Sequence, residues 1–113
     1  MSVERPWGSY RILSQLENEW WIKLIRVRLG QRLSLQSHKF RTEHWFIMSG
    51  MGKVTLGKKN YDVIAGDMVE VKLNQRHRIS NTSLDEDLIF CEVALGSTDE
   101  NDIVRYEDDY GRV

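Results

Sequence analysis

The chain has 113 residues, enough for one compact domain with a real core and too few for a second independent one, so residues 1–113 are read as a single domain. Apolar residues make up 41% and charged residues 29%, and 16 basic against 17 acidic side chains create no field that would steer a polyanion, so nucleic acid is not an expected partner. No apolar segment follows a basic start in the first ten residues and nowhere do about 18 apolar residues run together, so neither a secretory signal nor a membrane span is expected and a cytoplasmic location is.

Short alternating runs rich in Val, Ile, Leu and aromatic residues recur along the chain, and no long segment carries apolar residues at helical spacing. This pattern predicts strands at 9–15, 20–29, 32–36, 45–49, 53–56, 62–65, 68–72, 76–80 and 88–95. Glycines at Gly30, Gly50, Gly52, Gly57 and Gly66 mark reversals between them. Nine short strands in so short a chain imply an all-β closed barrel or two-sheet jelly roll, which also removes exposed edges. The tail, 97–113, is acidic and then aromatic and charged, and is expected to pack over the barrel as an arm. Cys91, the only cysteine, lies in an apolar run and is expected to be a buried, inert thiol. Trp20, Trp21, Trp45, Phe46 and Phe90 are read as core or subunit surface rather than as platforms for a sugar.

Residues two apart on a strand share a face. In 32–38, Ser34, Gln36 and His38 therefore project together, and Leu33 and Leu35 project the other way. Glu43 shares parity with Trp45 and Ile47, and His77 with Ile79 and Asn81. Imidazole nitrogens with carboxylate and amide oxygens suit zinc, manganese, cobalt, nickel or iron better than calcium. By spacing alone, a shared divalent ion and a set of separately hydrogen-bonded side chains remain equal alternatives. Leu33 and Leu35, facing away from such a pocket, need cover, and a second copy of the chain would supply it, so a homodimer is expected.

The run Gly30, Gln36, His38, Glu43, Gly50 resembles the first cupin motif, with glutamine at a position more commonly histidine. Gly66, Lys72, His77 and Asn81 resemble the second. More narrowly, Arg5-Pro6-Trp7-Gly8, Arg41-Thr42-Glu43-His44-Trp45, Gly52-Lys53-Val54-Thr55 and the closing run 102–112 resemble the type II mannose-6-phosphate isomerase domain found at the C-terminus of bifunctional mannose-1-phosphate guanylyltransferase/mannose-6-phosphate isomerases. The sequence departs from that family at Phe40, Lys72 and Asn74, where histidine, proline and glycine are usual.

The resemblance implies a cupin-type jelly-roll barrel with short terminal arms. It also implies one divalent metal, zinc being the expected one, held by Gln36, His38, Glu43 and His77. The activity implied is interconversion of mannose 6-phosphate and fructose 6-phosphate. No Gly-rich phosphate loop occurs in these residues. Guanylyl transfer is therefore not expected of them, and a separate guanylyltransferase is a partner to consider. Arg41 is the first choice for a catalytic cation, since a guanidinium stays charged and offers a planar fork of donors. Lys53, Arg78 and Arg105 are candidates for binding substrate, with Arg112 able to reach the pocket if the tail folds over it. Two other readings stand beside the isomerase: a non-catalytic sugar- or metal-binding cupin, motivated by Phe40, and a metal-dependent cupin oxygenase, which Gln36 disfavours.

Overall fold

The computed structural model describes all residues from Met1 to Val113, in eleven strands and no helix. In chain order they are β1 (Val3–Arg5), β2 (Gly8–Leu16), β3 (Trp20–Val27), β4 (Leu35–Ser37), β5 (Arg41–Ser49), β6 (Met51–Leu56), β7 (Lys59–Ile64), β8 (Met68–Val71), β9 (His77–Asn81), β10 (Leu88–Gly96) and β11 (Val104–Glu107). They form two antiparallel sheets, ordered β1-β2-β3-β10-β5-β8 and β11-β4-β9-β6-β7, the jelly roll expected from the sequence. No helix is long and apolar enough to cross a membrane.

Each inner face is dictated by alternation. On β3 the buried residues are Trp21, Lys23, Ile25 and Val27; on β5, Arg41, Glu43, Trp45 and Ile47; on β10, Leu88, Phe90, Glu92 and Ala94. β10 lies between the other two, so these residues line up in rows across the sheet. One row is Ile25, Phe90 and Ile47, the next is Lys23, Glu92 and Trp45, and the third is Trp21, Ala94 and Glu43. Apolar surface at one end of the barrel thus gives way to charge at the other. The apolar end holds the core, where Trp45, Phe90, Ile47, Ile79, Val54 and Val63 meet from both sheets, each large side chain contributing about 1.5–3 kcal/mol by leaving water. Asn81 ties the sheets together by donating to the carbonyls of Val27 and Glu86 at 2.9 and 3.0 Å.

The predicted strand at 32–36 shrinks to Leu35–Ser37. Arg32 forms only an isolated bridge to Ser80, and Leu33 N–H donates to the Ile79 carbonyl. Without a continuous ladder nothing enforces alternation there, and Leu33 packs against the core beside the buried Ser34. This corrects the expectation that Leu33 turns outward to a second subunit. Cys91 is half-buried, on the outer face of β10 rather than within the core, and burial still raises its thiol pKa. Gly50, at the reversal between β5 and β6, has φ of 89° and stands so close to the Asp87 carbonyl that a Cβ would lie 2.6 Å from it. Only glycine fits without displacement.

The end strands were not expected. β1 pairs with β2 at the outer edge of the first sheet, and β11 pairs with β4 at the edge of the second. The tail is therefore an arm, as predicted, but one that is hydrogen-bonded into the sheet. Tyr106 and Ser37 join hydroxyls at 2.8 Å, Arg32 holds Asp109 through two donors, and the Tyr110 hydroxyl donates to Gln31 while its ring packs on the core.

Candidate metal centre

Gln36 and His77 face each other across β4 and β9, His38 follows β4 directly, and Glu43 enters from β5. Three of these four, His38, Glu43 and His77, are almost fully buried, and their ligand atoms all lie within 4.8 Å of one another. His38 Nε2 is 3.3 Å from Glu43 Oε2, and His77 Nε2 is 3.8 Å from Glu43 Oε1. The other ring nitrogens are fixed by the backbone: His38 Nδ1–H donates to the Asp102 carbonyl at 2.6 Å and His77 Nδ1–H to the Gln75 carbonyl at 2.9 Å. A carbonyl can only accept, so each Nδ1 carries the proton and each Nε2 turns a bare lone pair toward Glu43. That is the tautomer and the outer-shell anchoring a metal-binding imidazole needs. Gln36 lines the same cavity, and its Nε2 donates to the Ser34 carbonyl and hydroxyl at 3.4 and 3.1 Å, leaving the amide oxygen as its free ligand atom.

Burial, with the Arg41 charge nearby, pushes the His38 pKa down to about 4, and burial does the same to His77. Both imidazoles are neutral at neutral pH, the form that binds a metal. Arg41 shares the inward face of β5 with Glu43. Its Nε donates to Glu43 Oε2 at 3.0 Å, its Nη2 to His38 Nε2 at 3.2 Å, and its plane stacks 4.4 Å from the Trp21 ring. Its Nη1 is buried and has no partner. Trp45 Nε1–H donates to the second Glu43 oxygen at 3.1 Å. The donor set of two neutral imidazoles, a carboxylate and an amide oxygen fits a borderline divalent cation.

Gln36, Glu43 and His77 line a cavity of about 170 Å³, and His38 stands outside its lining. Several of its residues were not foreseen from the sequence. Glu92 accepts from Trp21 Nε1 at 2.8 Å, and burial together with the neighbouring Glu43 carboxylate raises its pKa to about 7. Lys23 pairs with Glu100 at 2.8 Å and stands over the rings of Trp21 and Tyr10. Arg5 comes from the start of the chain. A signal for two of them existed: Glu92 and Lys23 each interrupt the apolar parity of an otherwise inward-facing row.

The sequence candidates fare differently. Arg41, Arg78, Arg105 and Arg112 all line the cavity. Arg78 is occupied structurally, donating to the Leu33 carbonyl and to Glu107. Lys53 is exposed on the outer face of β6, because alternation turns its neighbours Gly52 and Val54 inward, so it lies outside the cavity. Phe40 is 67% exposed and also lies outside it. Asn74 takes φ of 62°, the left-handed conformation that the family's glycine would favour and that asparagine tolerates. Lys72 has the N–H a proline would lack, and Gln75 Oε1 accepts it at 3.0 Å. These last two departures are absorbed by one turn, whose Asn74 N–H donates to the His38 carbonyl.

The model of the mannose-6-phosphate isomerase C-terminal family matches residues 1–108. The chain belongs to that family. Within and around it, the xanthan biosynthesis protein XanB of Xanthomonas campestris pv. campestris is 40% identical over 112 residues, which is 97% of this chain and 23% of XanB. The mannose-1-phosphate guanylyltransferase ManC of Salmonella typhimurium is 37% identical, over 98% of this chain and 23% of ManC. The chain thus spans less than a quarter of the length of either relative. In three dimensions it is similar to the cupin domain of Schizosaccharomyces pombe Cnp3, with a TM-score of 0.77 and 14% identity over 83% of this chain and 68% of that one. The jelly roll of this family member is a cupin fold.

Proposed function

We propose that this chain is a metal-dependent aldose–ketose isomerase that interconverts mannose 6-phosphate and fructose 6-phosphate, with residues 1–113 acting as one cupin unit. The observation that carries the reading is the pair of backbone-anchored imidazoles whose Nε2 atoms converge on Glu43 at the floor of a cavity, in a member of this family. Gln36, His38, Glu43 and His77 would hold the ion, with zinc the first choice and manganese, cobalt, nickel or iron compatible with the same donors. When bound, such an ion supplies Lewis-acid stabilisation of negative charge on the sugar oxygens.

The reaction moves a proton from C2 to C1 through an enediol while the carbonyl moves from C1 to C2. Arg41 meets it with a donor, Nη1, that no group of the protein engages. A guanidinium held rigid by Glu43 and stacked on Trp21 would offer fixed positive charge to the sugar oxygens as charge develops on them. Away from water such a fixed charge acts strongly. Tested directly, metal-loaded protein incubated with mannose 6-phosphate should form fructose 6-phosphate, and Arg41→Met should lower kcat by about 100-fold or more. Binding without turnover would favour a non-catalytic cupin, and oxygen consumption by the iron-loaded protein would favour an oxygenase.

A homodimer remains part of the reading, now resting on a different surface. Phe46 and Met68 are neighbours on β5 and β8, and with Met48 they leave an exposed apolar strip on the outer face of the larger sheet. Sedimentation at micromolar concentration should give twice the monomer mass. A cytoplasmic location suits a sugar-phosphate substrate, and the names of relatives such as ManC support a guanylyltransferase as a partner.

A further inference from the structure

We propose that Arg5, Arg105 and Arg112, brought together from the two ends of the chain, form a subsite for a phosphomonoester dianion on the cavity wall. The inference rests on the sugar-phosphate reading of the same cavity and locates the end of the substrate that the metal centre does not touch.

Two buried side-chain atoms in the molecule lack a hydrogen-bond partner, Arg41 Nη1 and Arg105 Nε. Both are guanidinium nitrogens, and both residues line the one cavity. A buried charged donor left unmet is strongly unfavourable, and the guanidiniums that carry these two gain from a ligand that brings acceptor oxygens into the cavity they line. The neighbours of Arg105 sharpen the chemistry. Arg105 forms no ion pair, and Arg5 is met only by the Glu4 carbonyl at 3.0 Å and the Tyr10 hydroxyl at 3.4 Å. Arg112 is held in place by Asp108 at 2.8 and 2.9 Å, which fixes its orientation. Three guanidiniums thus line one cavity, and Arg105 feels burial first and then the positive charge of Arg112 and Arg5, offset in part by Asp108. A dianion with a tetrahedral array of oxygens neutralises that excess and accepts from planar forks. Arg78, the other arginine of the wall, is engaged by Leu33 and Glu107 and is not part of the subsite.

The position follows from strand register. Arg105 on β11 is opposite Gln36 on β4, which is opposite His77 on β9. Along this row Arg105 stands one strand spacing from Gln36 and two, about 9.5 Å at the backbone, from His77. An open-chain sugar whose phosphate is at the end remote from its carbonyl spans such a row.

The test uses the full chain and inorganic phosphate as the probe, followed by calorimetry at fixed ionic strength after treatment with a chelator. Wild-type protein should bind phosphate, Arg105→Met should weaken binding about ten- to a hundredfold, and Arg105→Lys should recover part of it. Arg5→Met, a change at the opposite end of the chain, should show the same loss, which separates loss of the subsite from a disturbed tail. Lys53→Met, outside the cavity, should bind as wild type does. In the metal-loaded protein Arg105→Met should raise KM for mannose 6-phosphate with a smaller effect on kcat. Phosphate affinity unchanged in both Arg105→Met and Arg5→Met overturns the subsite, even if mannose 6-phosphate is isomerised. Phosphate binding that depends on these arginines, in a protein that turns over no sugar phosphate, leaves the subsite standing and removes the isomerase.

Discussion

The carbonyl oxygen of Asp102 lies 2.6 Å from Nδ1 of His38, across 64 residues of sequence. The same residue's carboxylate receives the N–H groups of Lys39 and Phe40 at 2.9 and 3.0 Å. One residue of the tail therefore fixes both the ring of His38 and the loop that carries it. Asp102→Ala keeps the carbonyl but frees the loop. Zinc affinity, measured by competition with a chromophoric chelator, should fall about 10- to 100-fold, while the far-ultraviolet circular dichroism of the folded protein stays unchanged.

Acid should act on the metal-free protein through its two buried imidazoles. Their folded-state pKa values of about 4 lie below the ordinary 6.5, so between these limits the unfolded chain binds more protons than the folded one. Their contribution to stability is complete above pH 6.5 and is lost as pH falls through 4. Glu92 works the other way: raised from 4.5 to about 7, its contribution is complete below pH 4.5 and is lost as pH rises through 7. Two imidazoles outweigh one carboxyl, so unfolding free energy from urea titrations should rise from pH 4.5 to 6.5. A profile that falls across this interval would contradict the assignment.

Phe40 occupies the position where histidine is usual, but its side chain is exposed and outside the cavity. Phe40→His should therefore leave zinc affinity within about a factor of two of wild type. A large gain, read by the same chelator competition, would place this position at the centre after all.

Asn81 is a structural member of the second motif. Asn81→Leu leaves the carbonyls of Val27 and Glu86 without their side-chain donor and the N–H of Ser83 without its acceptor. The loss should be about 2 kcal/mol or more, seen as a melting temperature lower by roughly 10 °C, in the metal-free protein as well as the loaded one.

Parity made much of this legible before any coordinates. Glu43 with Trp45 and Ile47, and His77 with Ile79 and Asn81, sit on continuous ladders, where alternation is enforced by hydrogen bonding, and all six are buried. The same reasoning failed at Leu33, where a single bridge replaces the ladder. Lys53 was chosen by likeness rather than by parity, and the alternation of its own strand turns it outward. β1 and β11 escaped notice because strands of three and four residues at sheet edges carry no apolar alternation to detect. Lys23 and Glu92 were passed over because each sits in a run whose composition reads as core. Which charged residues gather around Arg105 is a matter of long-range pairing that no local pattern encodes.

The lateness of β11 in the chain has a consequence for how the molecule comes into being. Residues 1–96 contain both sheets apart from that one strand, and they leave the ribosome first. During that interval the Nδ1 of His38 lacks the Asp102 carbonyl that fixes its ring. A protease that clipped the chain after Gly96 would take away that anchor and β11 together and leave the other ten strands present.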